Sequence, residues 1–333
     1  YDSTNFNTNA YGIELADYGH PKVDEGLPQY NLAYAVNQKD STPLFYELYD
    51  GSVIDNTELE IMLEEAKEFG HEKLGVLMDR GYISEKNIKA LRTKGYEYIL
   101  MMKQNQRICQ EIIEEYGAAV QSLEGYYIGE HGVYGTTVKK QLYGQETNIH
   151  VYYDDIRASE EKVALMSRYE TWEKEIEKKV EKKLATEGEM KKYRKVFKLK
   201  YDQNGYLVAY QRNSRYIKEE IRNLGFFFIM TSEDMSASKA LDIYRGRDNI
   251  EKMFRSLKSG IDFNKARVHT TESLKSKVFV TFIAMIVRNE LFQKAEELRK
   301  KNRKAYTVPG MISELENIEC TRNSVGKYRR KYA

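Results

Sequence analysis

The stretch YRGRDNIEKMFRSLK, residues 244–258, decides how the rest of the chain is interpreted. Its apolar side chains recur at helical spacing, which predicts a helix. At about 100° per residue, Tyr244, Arg247, Glu251 and Lys258 fall within one arc of about 60°. One helix face therefore carries an acid, two cations and a phenol, immediately beside the apolar face that packs on a core.

These four side chains suit the handling of phosphate and of a metal ion. Glu251 can ligate a hard cation. Arg247 can bind phosphate oxygens bidentately, Lys258 can bind them as a point charge, and Tyr244 can donate a hydrogen bond. An ordinary surface helix with ion pairs would explain any two of these residues, but four on one arc favour a functional face.

A lone glutamate cannot hold two metal ions, and two aspartates on predicted strands are candidates for the remaining ligands. Asp79 follows a buried strand at 74–78 and is followed by Arg80 and a glycine, where the chain turns. Asp2 lies in a predicted strand at 1–6. Each aspartate taken alone could be an ordinary turn or capping residue.

The first part of the chain has the pattern of a mixed α/β sheet. Alternating and β-branched residues indicate strands, and apolar residues at helical spacing indicate helices, in the order βββαβαβ. We predict strands at 1–6, 30–37, 44–49, 73–78 and 96–102, and helices at 57–69 and 84–91, the second capped by Ser84.

Tyr- and Gly-rich strand signals then replace this pattern, which indicates an inserted subdomain. It comprises strands within 125–153, a long charged helix at 159–184 and strands near 193–201 and 206–210. A core strand at 224–231 rejoins the first sheet, followed by helices at 238–258 and 273–299. The predicted domains are a first part of the core at 1–103, an insertion at 104–222, a second part of the core at 223–300 and a tail at 301–333.

The four residues that share one helix face resemble the Y-R-E-K signature of insertion-sequence DDE transposases with a β-rich insertion before the catalytic glutamate. They match at every spacing. The sequence DST at 2–4 resembles the first-aspartate block of that family, and MDRGY at 78–82 resembles the second. The similarity extends from Tyr1 to about Leu291.

This resemblance implies an α/β, RNase H-like core, a mixed sheet flanked by helices, with a β-rich and helical insertion between the second aspartate and the glutamate. Asp2, Asp79 and Glu251 would be the catalytic and metal-binding triad for two Mg²⁺ or Mn²⁺ ions. Such a pair of ions cuts and rejoins phosphodiesters without a covalent enzyme intermediate.

The resemblance also implies the partners. Tyr244, Arg247, Lys258 and Arg80 would contact the phosphates of double-stranded DNA, both at the element ends and at the target. A homodimer on paired ends is expected. We expect neither a small-molecule cofactor nor an association with a membrane.

The charge distribution agrees with a DNA partner. The net charge of +2 hides an acidic first half, because residues 1–156 contain 13 basic and 26 acidic side chains. Residues 235–333 contain 22 basic and 11 acidic side chains. A basic surface concentrated late in the chain favours a polyanion, although any single Lys/Glu-rich stretch is better explained as a solvated helix face.

Three other readings stay open. A structure-selective RNase H-like nuclease would use the same metals without strand transfer, and an inactive DNA-binding remnant would keep the fold without the chemistry. A zinc protein has little support, because Cys109 and Cys320 form no CxxC motif and the histidines are scattered. We interpret all five as structural or surface residues: His20, His71, His131, His150 and His269.

The chain starts at Tyr1 without a methionine, inside a predicted strand, and we interpret it as the catalytic portion of a longer protein. Its two cysteines and its lack of a leader pattern or long apolar run favour a reducing cytoplasm. The family resemblance implies that this is the cytoplasm of a bacterium and that the protein works at the nucleoid. The single tryptophan, Trp172, lies on the charged helix of the insertion, and we expect it to pack in a core rather than to bind a base.

Overall fold

The computed structural model describes residues 1–19, 26–53, 55–70, 75–122, 124–182, 188–255, 257–258, 266–302, 307–316, 319–322 and 328–331. The chain divides into two compact units. The first unit comprises Tyr1–Glu97 and Ile243–Ala333, and the second comprises Tyr98–Asp242. The four domain boundaries inferred from the sequence stay a prediction.

The first unit begins with an antiparallel meander of three strands, as the alternation pattern predicts. Asp2 pairs with Tyr34, and Tyr34 pairs with Tyr46. The central strand is buried along almost its whole length. The meander consists of β1 (Asp2–Asn7), β2 (Gln29–Val36) and β3 (Pro43–Asp50).

Two helices and two short strands follow the meander close to their predicted positions. Ser84 caps the second helix, because its hydroxyl accepts a hydrogen bond from the backbone nitrogen of Asn87 at 3.1 Å. These elements are α1 (Asp55–Glu68), β4 (Gly75–Met78), α2 (Glu85–Thr93) and β5 (Glu97–Met101).

The second unit contains a sheet in which β5, β11, β8, β7 and β6 lie side by side in that order. The last core strand pairs with β5 through Ile229 and Met101, as predicted. Strands that we assigned to the insertion extend this same sheet, because Phe228 pairs with Val151. The strands are β6 (Tyr127–Ile128), β7 (Val133–Leu142), β8 (Gln145–Tyr153) and, later in the chain, β11 (Phe226–Thr231).

A helix that we did not predict packs on this sheet. It is α3 (Arg107–Ser122), which contacts β7 and β8. Its buried residues Cys109, Ile112, Ile113 and Val120 recur at helical spacing, so the signal was present in the sequence.

The rest of the second unit has a separate core. Trp172 is half-buried there, 5.9 Å from the Tyr169 ring and 5.7 Å from the Tyr193 ring, measured between centroids. Core packing is therefore its structural role. The elements around this core are α4 (Asp155–Lys182), β9 (Phe197–Tyr201), β10 (Leu207–Arg212) and α5 (Ser214–Arg222), of which α5 was not predicted.

The predicted helix at 238–258 is wrong in one respect, because the structure breaks it into α6 (Ala237–Arg245) and α7 (Asp248–Arg255). Gly246 lies at the break, where a glycine costs about 1 kcal/mol of helix stability relative to alanine. The backbone forms a 3₁₀-type turn there, since the backbone nitrogens of Gly246 and Arg247 each donate a hydrogen bond to the carbonyl three residues earlier. Leu257 and Lys258 continue in a π-helical turn.

A long helix, α8, packs on the core of the first unit. The core beneath it combines apolar side chains of β1, β2, α7 and α8. Among the described residues, no helix is both long and apolar enough to cross a membrane. The last elements are α8 (Thr271–Asn302), α9 (Val308–Glu316), β12 (Glu319–Arg322) and β13 (Tyr328–Lys331). The fold is α/β and RNase H-like, as expected.

Candidate active site

Asp2 is held at the start of β1 by backbone hydrogen bonds. The backbone nitrogen of Tyr1 donates to the Leu77 carbonyl at 3.1 Å, which places the start of β1 beside β4. The Asp2 carboxylate accepts a hydrogen bond from the nitrogen of Ser3 at 2.8 Å. Its side chain is 19% exposed, so the carboxylate is accessible but fixed in direction.

Asp79 leaves β4 where the chain turns. Met78 before it is fully buried, and a 3₁₀ turn, Arg80–Tyr82, begins directly after it. One carboxylate oxygen accepts from the nitrogen of Arg80 at 2.6 Å and so caps this turn. The second oxygen takes no part in this cap, and 38% of the side chain is exposed.

Glu251 and Arg247 are presented by the broken helix. Arg247 lies at the break, and Glu251 lies in the first turn of α7. Beside the break, the Nε2 of Gln38 donates a hydrogen bond to the Ile243 carbonyl at 2.7 Å. A Cβ on Gly246 would lie 2.6 Å from that Nε2, so the close approach of Gln38 depends on the glycine.

The three carboxylates converge on the Arg247 guanidinium. Its Nη1 lies 3.4 Å from the Asp79 carboxylate and 3.7 Å from the Asp2 carboxylate, and its Nη2 donates to Glu251. The arginine side chain is only 16% exposed. Asp79 and Glu251 lie 77 and 249 positions after Asp2 in the sequence, yet all three contact the same guanidinium.

Tyr244 lies against this cluster. Its ring centroid is 5.8 Å from the guanidinium carbon of Arg247. The pKa of the phenol is raised to about 12, mainly by burial. Arg247 lowers this pKa, whereas the charges of Asp79, Asp2 and Glu251 raise it. The phenol therefore keeps its proton at neutral pH and can act as a hydrogen-bond donor.

The donor set fits a hard divalent cation. Three carboxylates supply oxygen ligands only, and together they carry two more negative charges than Arg247 neutralises. Among the described residues, no three acidic, histidine or cysteine side chains are spaced to enclose a metal ion as they stand. The guanidinium of Arg247 lies among the three carboxylates.

A family model described as transposase DDE domain matches residues 1–287. The chain belongs to this family. No curated protein matches the sequence.

Membership in the transposase DDE domain family supports transposase function. The substrate that the family implies is DNA, and DDE transposases generally use divalent metal ions. The expected resemblance to insertion-sequence DDE transposases is therefore confirmed at the level of the family.

Two further residues expected to contact phosphate lie elsewhere on the transposase domain. The Lys258 ammonium lies 5.1 Å from the ring centroid of Phe6, on the strand that carries Asp2. Arg80 is exposed directly after Asp79. The structure thus brings Tyr244 and Arg247 to the carboxylates and places Lys258 and Arg80 at separate positions.

The described histidines and Cys109 lie in the core, in a pair with an aspartate or at the surface. His150 is fully buried between the hydroxyls of Thr137 and Thr231, at 2.8 and 3.0 Å. Burial raises the pKa of the Cys109 thiol to about 12. His131 pairs with Asp242, and His269 is exposed, whereas His20, His71 and the Cys320 side chain lie outside the described residues.

Sequence reasoning missed two features of the site. It treated helical ion pairs only as the alternative to a functional face and assigned Arg247 to phosphate, whereas the structure pairs Arg247 with Glu251, four residues further along. It also missed Gln38, which is far from the signature in sequence and has no local pattern that would reveal its contact with Ile243.

Proposed function

We propose that this chain is the catalytic portion of an insertion-sequence transposase that cleaves DNA at the element ends and transfers the strands to a target. The observation that carries this proposal is the convergence of Asp2, Asp79 and Glu251 on one cation. They come from β1, the end of β4 and α7, in the order that the family signature requires.

Asp2, Asp79 and Glu251 would hold two Mg²⁺ or Mn²⁺ ions. When bound, such ions lower the pKa of the attacking hydroxyl and stabilise the leaving oxygen of the phosphodiester. The carboxylates position the reacting phosphate and need not form a covalent bond to it. The short β1 and β4 backbones fix two of the three ligands before DNA arrives, which reduces the entropy lost on binding.

Arg247 has two functions in this proposal. Without a divalent ion it neutralises the carboxylates, and with the ions bound it contacts the phosphate that undergoes displacement. Tyr244 donates a hydrogen bond to the DNA strand. Lys258 and Arg80 bind flanking phosphates, where their charge holds the duplex in register.

Strand transfer distinguishes this proposal from a nuclease with the same carboxylates. Water attacks first and frees a 3′-hydroxyl, which then attacks target DNA through the same site. Two copies of the chain on paired ends would bring both cuts together. A hydrolytic nuclease would release 3′-hydroxyl ends without joining them to a second DNA.

The test compares variants that keep the shape of the side chain and remove its charge. Asp79→Asn and Glu251→Gln should abolish Mg²⁺-dependent nicking and joining of element-end DNA by the full-length protein. Asp50→Asn is the matched control, because Asp50 is an exposed aspartate at the end of β3, a strand that carries none of the three carboxylates. Activity retained by either site variant would rule out the assignment, and nicking without joining would favour the nuclease.

A further inference from the structure

A cavity of about 480 Å³ lies between α7, α8 and the start of α9. It falls within the range of roughly 300–1,000 Å³ that is typical of pockets for small ligands. Its α8 wall is one helix face, because Met285, Arg288, Phe292 and Arg299 recur at intervals of three, four and seven residues. The cavity is separate from the residues that meet Arg247.

Four cations line this cavity. Lys252 and Arg255 come from α7, and Arg288 and Arg299 come from α8. Among its described lining residues there is no aspartate or glutamate. Like charges from two helices that surround one space repel each other, so the arrangement favours an anion as ligand.

Only part of this charge is neutralised within the protein. Arg299 pairs with Glu296 on its own helix. In the part of the chain that the structure describes, Lys252 and Arg288 have no carboxylate within ion-pair distance. At least two cations are therefore available to an external anion.

The floor of the cavity is apolar. Met253, Met285 and Val308 are 6%, 4% and 5% exposed, so they form a packed surface beneath the cations. Phe292 is 49% exposed on the wall. An aromatic ring left half-exposed beside cations suits a ligand with both a phosphate and a planar, weakly polar ring.

We propose that this cavity binds one unpaired nucleotide of the DNA strand, with its base on Phe292 and its flanking phosphates on Lys252 and Arg288. The inference rests on the proposed function, which supplies DNA as the substrate. A base inside a duplex is stacked on both faces and cannot reach the ring, so the nucleotide must be unpaired. Lys252 directly follows Glu251, so α7 carries both a proposed metal ligand and a cation of the cavity.

The test is fluorescence anisotropy with a labelled oligothymidylate of about ten nucleotides and with a duplex of the same length, in EDTA to prevent cleavage. Arg288→Gln should weaken binding of the single strand and make its log–log salt slope less steep by about 0.7. Lys275→Gln, an exposed cation on the same helix outside the cavity, should change neither quantity.

Phe292→Ala should weaken single-strand binding roughly 5- to 150-fold with an unchanged salt slope, because it removes stacking and no charge. Phe279→Ala, an exposed phenylalanine elsewhere on α8, is the control. Equal affinities of Arg288→Gln and Lys275→Gln, or equal losses on duplex and single strand for Phe292→Ala, would overturn the cavity assignment alone. No DNA binding by the wild-type protein would contradict the proposed function instead.

Discussion

Arg247, at the helix break before α7, and Asp79, at the end of β4, form an ion pair with 3.4 Å between Nη1 and the carboxylate oxygen. The same guanidinium reaches Asp2 and Glu251. The singly charged side chain of Arg247 thus lies among the carboxylates that we propose as ligands of divalent ions. Arginine and metal would compete for these oxygens, and the proposal can be tested through that competition.

Removal of the guanidinium should strengthen metal binding. Arg247→Gln leaves the three carboxylates without their internal cation, so they repel one another more strongly and attract an external one. We expect the affinity for Mn²⁺ in the absence of DNA to rise by about tenfold, measured by isothermal titration calorimetry. Arg215→Gln, which removes an exposed arginine of the second unit, is the control. An unchanged or weaker affinity would show that Arg247 does not compete with the metal.

Alanine at position 246 should impair catalysis more than stability. Alanine favours a continuous helix by about 1 kcal/mol, but its Cβ would displace Gln38 from the Ile243 carbonyl. These effects oppose each other in the free energy of unfolding, whereas both move Arg247 away from the carboxylates. We expect Mg²⁺-dependent nicking to fall at least tenfold while the unfolding temperature changes little. Gly188→Ala, where a Cβ meets no atom within 4 Å, should retain activity, and full activity of Gly246→Ala would contradict a need for the break.

His150 should make the second unit less stable in acid. Burial lowers the pKa of this histidine from 6.5 to about 4. The unfolded chain therefore takes up a proton between these pH values that the folded chain excludes, and stability falls as pH decreases through that window. The loss should be on the order of 3 kcal/mol between pH 7 and pH 4.

Urea unfolding followed by the fluorescence of Trp172, the only tryptophan and part of the same unit, measures this effect. His150→Gln should be less stable at pH 7 but should lose much less stability on acidification than the wild-type protein does. Parallel pH profiles of the two proteins would assign the acid sensitivity to other groups.

Most of the first unit could be predicted from the sequence because local patterns determine it. The alternation of apolar and polar residues predicted the meander, and the capping residue Ser84 predicted the start of α2. The break at Gly246 was missed, since helical periodicity continues through it and the Gln38 side chain that contacts it is far away in the sequence.

The candidate site, too, depends partly on neighbouring residues and partly on residues far apart in the sequence. The spacing of Arg247 and Glu251 fixes their contact, because four residues make one helical turn. Nothing local links Asp2 or Asp79 to that turn. Their approach to Arg247 depends on which strands lie side by side, and only the family signature predicted it.

The claim that Asp2, Asp79 and Glu251 share one metal site can be tested without DNA. Fe²⁺ bound in place of Mg²⁺, with ascorbate and peroxide, generates radicals that cut the backbone beside the metal ligands. We predict cuts close to Asp79 and Glu251, suppressed by excess Mg²⁺ and absent in Asp79→Asn. Cuts that lie away from both residues, or that persist in Asp79→Asn, would contradict the shared site.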